Sequence, residues 1–225
     1  MRMLLLLSVC LAVTGCFVKP PSQEEQRFGE LSFDHQLKDA AVGSSDTILV
    51  EKTSVPLAEL EGLTRAKKLR ELRLTQTPVT DAEAKIIAQI ESLEIVNLPA
   101  SELTDAGVAE IAKLPNLELL RIGSANLTDA GIQKVAESPT IVYLHVLNSP
   151  ITDASAEAIG GMQQLESFYA DGTDLTDDGM SKILKAHPKL HIHFNDLHPA
   201  GSHSDHSHEH SHDDGHDHSH HGHSH

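Results

Sequence analysis

Residues 104–127 read TDAGVAEIAKLPNLELLRIGSANL, and this order of polar and apolar positions returns every 24 residues along the chain. Thr-Asp-Ala begins the copies at residues 80, 104, 128 and 152, and the similar Thr-Asp-Asp begins another at residue 176. No residue is inserted or deleted over these five copies. A constant period of about 20 to 50 residues is typical of solenoids, in which each repeat is one supersecondary unit stacked on the next. The sequence therefore predicts a solenoid.

The second half of each copy carries apolar residues in the spacing L-x-x-L-x-L. The sets are Leu69, Leu72 and Leu74; Leu93, Val96 and Leu98; Leu117, Leu120 and Ile122; Ile141, Leu144 and Val146; Leu165, Phe168 and Ala170; and, in the last copy, only Ile192 and Phe194. This spacing resembles the leucine-rich repeat family over roughly residues 56–197, and in that family the segment is a short strand of a parallel sheet. The resemblance implies an α/β leucine-rich repeat solenoid, with a short parallel β-sheet on the concave side and helices on the convex side.

The turn after each strand departs from the commonest family pattern. The family often has Asn or Cys there, whereas this chain has the small residues Thr77, Ser101, Ala125, Ser149 and Thr173. The chain thus resembles the bacterial subclass with Thr-Asp-x-Gly helices, in which small residues fill this inner turn.

The first half of each copy has the features of a helix. Thr is placed to cap free backbone N–H groups, and Asp one residue later favours the positive end of the helix dipole. In the quoted copy Val108, Ile111 and Ala112 form one stripe that would face the sheet. Gly107 in the first turn indicates a close approach of neighbouring coils. A catalytic or metal-binding ladder of aspartates is the alternative interpretation, but helix capping already accounts for these residues.

The first fifteen residues have the features of an export signal. Arg2 supplies a positive charge, and residues 4–13 form an apolar run too short to span a bilayer. Val13-Thr14-Gly15-Cys16 resembles the lipobox of bacterial lipoproteins, in which the peptide is cut before the cysteine and the thiol carries a diacylglycerol. The resemblance implies that Cys16 is lipidated and anchors the protein to the periplasmic face of the bacterial cell envelope, at the outer membrane because residue 17 is not Asp. The alternative is an ordinary secretory signal with an incidental cysteine.

We divide the chain into a signal peptide (1–15), a linker after the lipidated cysteine (16–21), an N-terminal cap (22–55), about six repeats (56–199) and a His-rich tail (200–225). Ser22 and Glu25 have the spacing of a capping box, which predicts a helix in the cap. The run Gly43–Asp46 would end it. Ile48 and Val50 then fall in the register of the later repeats. Such an atypical unit would cover the open end of the solenoid.

The composition argues against several classes of function. Thirty-three acidic and seventeen basic residues give a formal charge of −16, so no concentrated basic face for nucleic acid is expected. The chain has no Gly-rich phosphate loop, no H-E-x-x-H motif, and no motif that links a Ser nucleophile to a His base. The lipidated Cys16 is the only cysteine outside the signal peptide. We therefore expect a protein that is not an enzyme and requires no cofactor.

Strand residues between the buried leucines are expected to point outward on the concave face. They form two columns: Glu71, Ile95, Leu119, Tyr143, Ser167 and His191 in one, and Arg73, Asn97, Arg121, His145, Tyr169 and His193 in the other. Tyr and Arg are frequent anchors of interfaces. We predict a protein-binding or peptide-binding site that consists of Arg73, Asn97, Leu119, Arg121, Tyr143, His145 and Tyr169. The alternative is an exposed sheet face of ordinary β-forming residues.

His191 and His193 lie two apart on the last strand, so their side chains point the same way from Cα atoms about 6.5 Å apart. Such a pair suits two ligands of one zinc ion. A third ligand is not evident, because His145 is two coils away, at about 10 Å. A solvated pair on the end strand is the alternative.

Residues 201–225 hold eleven histidines, five carboxylates and no Lys, Arg or aliphatic residue. We expect this tail to be disordered, since nothing in it can form a core. Imidazole is the commonest metal ligand, and His-rich tracts bind Zn²⁺, Ni²⁺ or Cu²⁺. The tail is similar to His-rich segments of bacterial metallochaperones and zinc transporters. The predicted ligands are His203, His206, His208, His210, His212, His216, His218, His220, His221, His223 and His225.

Other interpretations of the tail are a solvated spacer, a pH-dependent charge switch or a vector tag. The irregular mixture of His, Ser and Asp is unlike a vector tag.

Two hypotheses for the function follow. In the first, the protein is a monomeric, lipid-anchored interaction module whose concave face binds a protein or peptide, with the metal-binding tail as an accessory. In the second, it is an envelope buffer or metallochaperone for divalent metal ions, and the solenoid docks the tail to a transporter.

Overall fold

The computed structural model describes residues 31–195, which form an α/β leucine-rich repeat solenoid with one parallel seven-stranded sheet in chain order. The strands are β1 (Thr47–Val50), β2 (Glu71–Leu74), β3 (Ile95–Leu98), β4 (Leu119–Gly123), β5 (Tyr143–Leu147), β6 (Ser167–Asp171) and β7 (His191–Phe194). The α-helices are α1 (Phe33–Val42), α2 (Asp81–Ile87), α3 (Asp105–Ile111), α4 (Asp129–Val135), α5 (Ala156–Gly161) and α6 (Asp177–Ala186), and 3-10 helices span Leu57–Arg65 and Asp153–Ser155.

Several predictions lie outside the described residues. They are the signal peptide, the lipidated Cys16, the linker, the capping box of Ser22 and Glu25, and the His-rich tail. Between residues 31 and 195, no helix is long and apolar enough to cross a bilayer.

The L-x-x-L-x-L residues form the core, as the sequence predicts. Leu117, Leu120 and Ile122 have no solvent exposure, and the corresponding residues of the other copies are buried too, apart from the partly buried Phe194. Parallel pairing keeps the copies in register, so that Leu120 lies between Val96 and Leu144 on the neighbouring strands. Each repeat therefore buries its leucines against the next repeat, which is the main source of stability in a solenoid.

A hydrogen-bonded contact that the sequence analysis did not predict joins each Thr-Asp pair to the next. Asp105 accepts hydrogen bonds from the backbone N–H and the hydroxyl of Thr128, at 2.8 and 2.7 Å. The same contacts join Asp81 to Thr104, Asp129 to Thr152 and Asp153 to Thr176. We name this contact the Asp–Thr staple. The Thr hydroxyl also accepts from a backbone N–H of its own first turn, which is the predicted helix cap.

Glycines in the first helical turn leave room for the staple. A Cβ atom on Gly107 would lie 2.1 Å from Oδ1 of Asp81, and one on Gly179 would lie 2.1 Å from Oδ1 of Asp153. The predicted close approach of neighbouring coils is confirmed. At Gly107 and Gly179 the group that approaches most closely is the carboxylate of the staple.

Two copies have a larger residue in place of this glycine, and their hydrogen bonds to the carboxylate differ from those of the other copies. Ser155 donates its hydroxyl to the carboxylate of Asp129, and the chain there forms the 3-10 helix Asp153–Ser155 before α5 begins. In the first copy Leu57 stands where the preceding Asp would be, so the backbone N–H of Thr80 donates instead to Glu83 of the same helix, at 3.0 Å. A carboxylate therefore receives this Thr N–H in all five copies.

The N-terminal cap begins, in the described part of the chain, with α1. The hydroxyl of Ser32 accepts a hydrogen bond from the helix, and Gly43 ends it, as predicted. Gln36 joins α1 to β1, because its side-chain amide accepts from the N–H of Leu49 at 2.7 Å and donates to the carbonyl of Leu49 at 2.8 Å. Strand β1 pairs with β2 in the predicted register.

The inner turn is filled by small residues, as the family resemblance implies, with one exception. Thr77, Ser101 and Ser149 are buried, and the hydroxyl of Ser101 donates to a neighbouring backbone carbonyl at 3.0 Å. Ala125 is exposed, so its predicted place in this turn is wrong. The preceding Ser124 is buried there and donates to a backbone carbonyl at 2.7 Å. A buried carbonyl needs a donor, which an Ala side chain cannot supply.

Candidate functional site

The outward side chains of β2–β7 make up the concave face. The register of the parallel strands places one row across it, which consists of Arg73, Asn97, Arg121, His145, Tyr169 and His193. This row holds five of the seven residues predicted to bind a partner. The other two, Leu119 and Tyr143, are paired neighbours in the adjacent row. The fold therefore brings all seven onto one surface.

A depression of about 420 Å³ lies on the concave face. Six of the seven predicted residues line it, and Tyr143 does not. Its lining also includes four residues outside the predicted partner site: Ile95, Leu147, Asp171 and His193. The repeat pattern did not indicate Leu147 and Asp171, because β5 and β6 continue one residue beyond L-x-x-L-x-L. The alternation of side chains along a strand is the signal that would have found them.

Aromatic rings form a stacked group at one end of this row. The ring of Tyr169 lies between those of His145 and His193, with centroid distances of 4.1 and 4.3 Å, and it is nearly parallel to the ring of His193. The ring of His191 packs edge-on against His193 at 4.7 Å. Such offset and edge contacts between rings are favourable. Three members of this group, His145, Tyr169 and His193, line the depression.

Some outward residues are less exposed than the sequence analysis expected. Asn97 is 6% exposed and His193 is 4% exposed, and Ser167 is also buried, although all three belong to the outward columns. Tyr143, in contrast, is 38% exposed. Its hydroxyl donates to Glu166 at 3.0 Å, and this hydrogen bond, partial burial and nearby carboxylates raise the pKa of Tyr143.

Three buried polar atoms in the lining have no hydrogen-bond partner among the described residues. They are Oδ1 of Asn97, Nε of Arg121 and Oδ1 of Asp171. A buried polar atom without a partner costs about 1–3 kcal/mol, so native proteins seldom retain one without a reason. Three such atoms line this one depression.

The two arginines of the row differ in their charge balance. Arg73 forms an ion pair with Glu71 two residues earlier on the same strand. Arg121, half-buried, forms no ion pair with any carboxylate in residues 31–195. Arg121 and Asp171 are therefore the cation and the anion of the depression that have no ion pair within residues 31–195.

His145 is held neutral next to this arginine. Burial, the positive charge of Arg121 and the proximity of His193 lower the pKa of His145 from 6.5 to about 4. At neutral pH its ring therefore adds no second cation beside Arg121, and it offers one nitrogen as a donor and the other as an acceptor.

The lowered pKa of His145 predicts that the stability of the folded protein depends on pH. Between pH 6.5 and about 4 the unfolded chain binds a proton at residue 145 that the folded chain does not. The free energy of unfolding should therefore decrease as the pH falls through this range, by on the order of 2 kcal/mol from this one residue. Urea unfolding at several pH values would measure it. His145→Gln should show a shallower decrease, and equal slopes for the two proteins would contradict the assignment.

The described residues do not assemble a metal site. Although His191 and His193 are in ring contact, no group of three His, Cys, Asp or Glu side chains within residues 31–195 is placed to hold a metal ion. His145 and His193 are kept apart by the ring of Tyr169, which stacks between them. The eleven tail histidines lie outside the described residues.

No protein-family model matches the sequence, and no curated protein matches it. Among solved structures, the chain is similar to internalin C2 of Listeria monocytogenes, with a TM-score of 0.48 and 20% identity over 71% of this chain and 80% of that one.

Two other similar structures are the internalin InlF of the same organism (TM-score 0.42, 17% identity, 68% of this chain and 55% of that one) and a plant ice-binding protein (TM-score 0.43, 15% identity, 70% and 58%). This chain thus spans little more than half of the latter two proteins. Similarity at this level assigns neither a ligand nor a partner.

Proposed function

We propose that the protein is a non-enzymatic recognition module whose concave face binds a protein or peptide partner. The observation that supports this most is the depression in which buried polar atoms of Asn97, Arg121 and Asp171 lack partners. A partner that supplied those hydrogen bonds would gain affinity without first breaking contacts within the protein.

The rigidity of this surface also favours recognition. Its side chains project from strands of one continuous sheet, and Tyr169 is fixed between two rings. A site held on strands loses little conformational entropy when it binds, which favours affinity. Tyr143 and Arg121 are of the residue types that most often dominate binding energy.

The cellular setting of this module is proposed from the sequence. We propose that Cys16 carries a lipid that holds the protein at the bacterial cell envelope, and that the His-rich tail binds divalent metal ions loosely. The second candidate function, a metal buffer or metallochaperone, is favoured by the eleven histidines of the tail. In that case the concave face would serve to dock the tail at a transporter.

Affinity capture from envelope extracts tests the proposed interface. The full chain should retain a partner that the double variant Arg121→Ala with Tyr143→Ala does not. The matched control is Gln133→Ala with Lys185→Ala, which changes two exposed residues of the convex helices α4 and α6 and should capture the partner normally. Capture that is equal for both double variants would place the interface elsewhere.

Zinc binding separates the two functions. We expect the full chain to bind several zinc ions in equilibrium dialysis, and a variant with all eleven tail histidines changed to Ser to lose this binding, since the described residues offer no three-ligand site. If the recognition module is correct, partner capture should be the same with and without a chelator. Capture that requires both zinc and the tail histidines would favour the metallochaperone.

A further inference from the structure

We propose that Arg121 is the anchor for a carboxylate of an extended acidic peptide, either an Asp or Glu side chain or a free C-terminus. This inference rests on the proposed function and specifies the chemistry of the partner.

Arg121 is available to a ligand in a way that other arginines of the sheet are not. Arg70 forms a two-point contact with Glu94, at 2.7 and 2.5 Å, and Arg73 is paired with Glu71. Arg121 has no such partner within residues 31–195, and its Nε is both buried and unbonded. Guanidinium groups bind carboxylates through two parallel N–H donors, of which Nε–H is one. A carboxylate is therefore an acceptor that matches this donor.

The neighbours of Arg121 would assist the same ligand. Asn97 on β3 is directly paired with Arg121, and its unsatisfied atom is the carbonyl Oδ1. This acceptor would pair with an N–H group of the ligand next to the carboxylate. Asp171, two strands away, presents an unbonded Oδ1 to the same depression. A peptide backbone N–H would satisfy it, so the site suits a carboxylate followed by ordinary peptide groups.

Apolar side chains would strengthen the contact with the carboxylate. Ile95, Leu119 and Leu147 line the depression together with Arg121. A partner lying over them would exclude water from the ion pair, and charge-assisted hydrogen bonds are stronger in such surroundings. The same three residues would contact an aliphatic or aromatic side chain beside the acidic residue.

The other occupant with matching charge is the tail of this chain, which has five carboxylates and no Lys or Arg. We favour a separate partner because Ile95, Leu119 and Leu147 line the depression together with Arg121. The tail supplies carboxylates but contains no aliphatic residue and no Phe, Tyr or Trp to cover these three side chains. The test distinguishes the two occupants.

The test uses full-length protein and an array of synthetic hexapeptides made in pairs that differ only as Glu against Gln, or as free C-terminus against C-terminal amide. We expect the full chain to prefer the acidic member of its best pair by roughly 10- to 100-fold in Kd, measured by fluorescence anisotropy. Arg121→Gln should abolish the preference. Arg70→Gln removes a cation that is paired with Glu94 and lies outside the depression, and it should retain the preference within about threefold.

Several results would overturn this inference, and they differ from failure of the proposed function. Equal binding of both members of every pair, with binding still lost in the double variant of Arg121 and Tyr143, would leave the concave interface intact but remove the carboxylate. An absence of binding by every peptide would reject the extended peptide. The tail carboxylates are Asp205, Glu209, Asp213, Asp214 and Asp217. A preference that emerges only after all five are changed to amides would assign Arg121 to the tail.

Discussion

Leu120→Ala is expected to lower the free energy of unfolding by about 2–5 kcal/mol. Leu120 has no solvent exposure and lies in the middle of the inner column, between Val96 and Leu144. Removing its side chain deletes buried apolar surface and leaves a cavity that the stacked repeats cannot close. Urea unfolding followed by circular dichroism would measure the change.

Leu119→Ala is the matched control, because the two leucines are adjacent on β4 and point to opposite faces. Leu119 is half-buried on the concave face, so its truncation should cost roughly 1 kcal/mol or less. Equal losses for the two variants would mean that the strand does not separate an inner column from an outer one, and the repeat assignment would fail.

Asp129→Ala is expected to lower the free energy of unfolding by about 1.5–3 kcal/mol, the range for hydrogen bonds to a charged group. Its carboxylate accepts from the backbone N–H and the hydroxyl of Thr152, both at 2.8 Å, and from the hydroxyl of Ser155. The substitution leaves these donors without their acceptor and uncouples two repeats. Thermal unfolding would detect the loss.

Asp177→Ala isolates the staple from the helix dipole. Asp177 occupies the same first-turn position in α6, but it is exposed and accepts no hydrogen bond from a later repeat within residues 31–195. Its truncation removes only the favourable contact with the dipole, at less than about 1 kcal/mol. If Asp129→Ala and Asp177→Ala lower the free energy of unfolding by the same amount, the contact between repeats contributes nothing measurable to stability.

A second property of the staple is its response to acid. The hydrogen bonds from the backbone and the hydroxyl of Thr176 lower the pKa of Asp153. A carboxyl group whose pKa is lowered by folding stabilises the protein above its unfolded pKa, and this contribution is lost as the pH falls through the folded value. As the pH falls through the acid range, the free energy of unfolding should therefore decrease less steeply in Asp153→Asn than in the unsubstituted chain.

Most of the fold could be predicted from the sequence because a strict period constrains every copy at once. A buried residue such as Leu120 is identified by its equivalents in other repeats as well as by its own neighbours. The repeat pattern did not predict the Asp–Thr staple. Helix capping within one copy already explained Thr128 and Asp129, so nothing in the pattern required a partner in the adjacent copy.

The candidate site was predictable in position but not in its internal arrangement. Period and strand alternation place Arg121 and Tyr169 on the outward face, and the structure has them there. Arg73 pairs with Glu71, whereas Arg121 has no ion pair with any carboxylate of residues 31–195, and a repeat pattern does not specify the rotamers that decide this. The burial of Asn97, which is 6% exposed, is likewise not specified by a repeat pattern.

The tyrosines offer the most direct measurement of where the partner binds. The chain has two tyrosines, Tyr143 and Tyr169, and both project from the concave face. In full-length protein with ring-labelled tyrosine, NMR would show two sets of ring signals, both reporting on that face. Saturation with the captured partner should shift or broaden both sets. A complex that forms while both sets remain unchanged would contradict the assignment of the concave face as the binding surface.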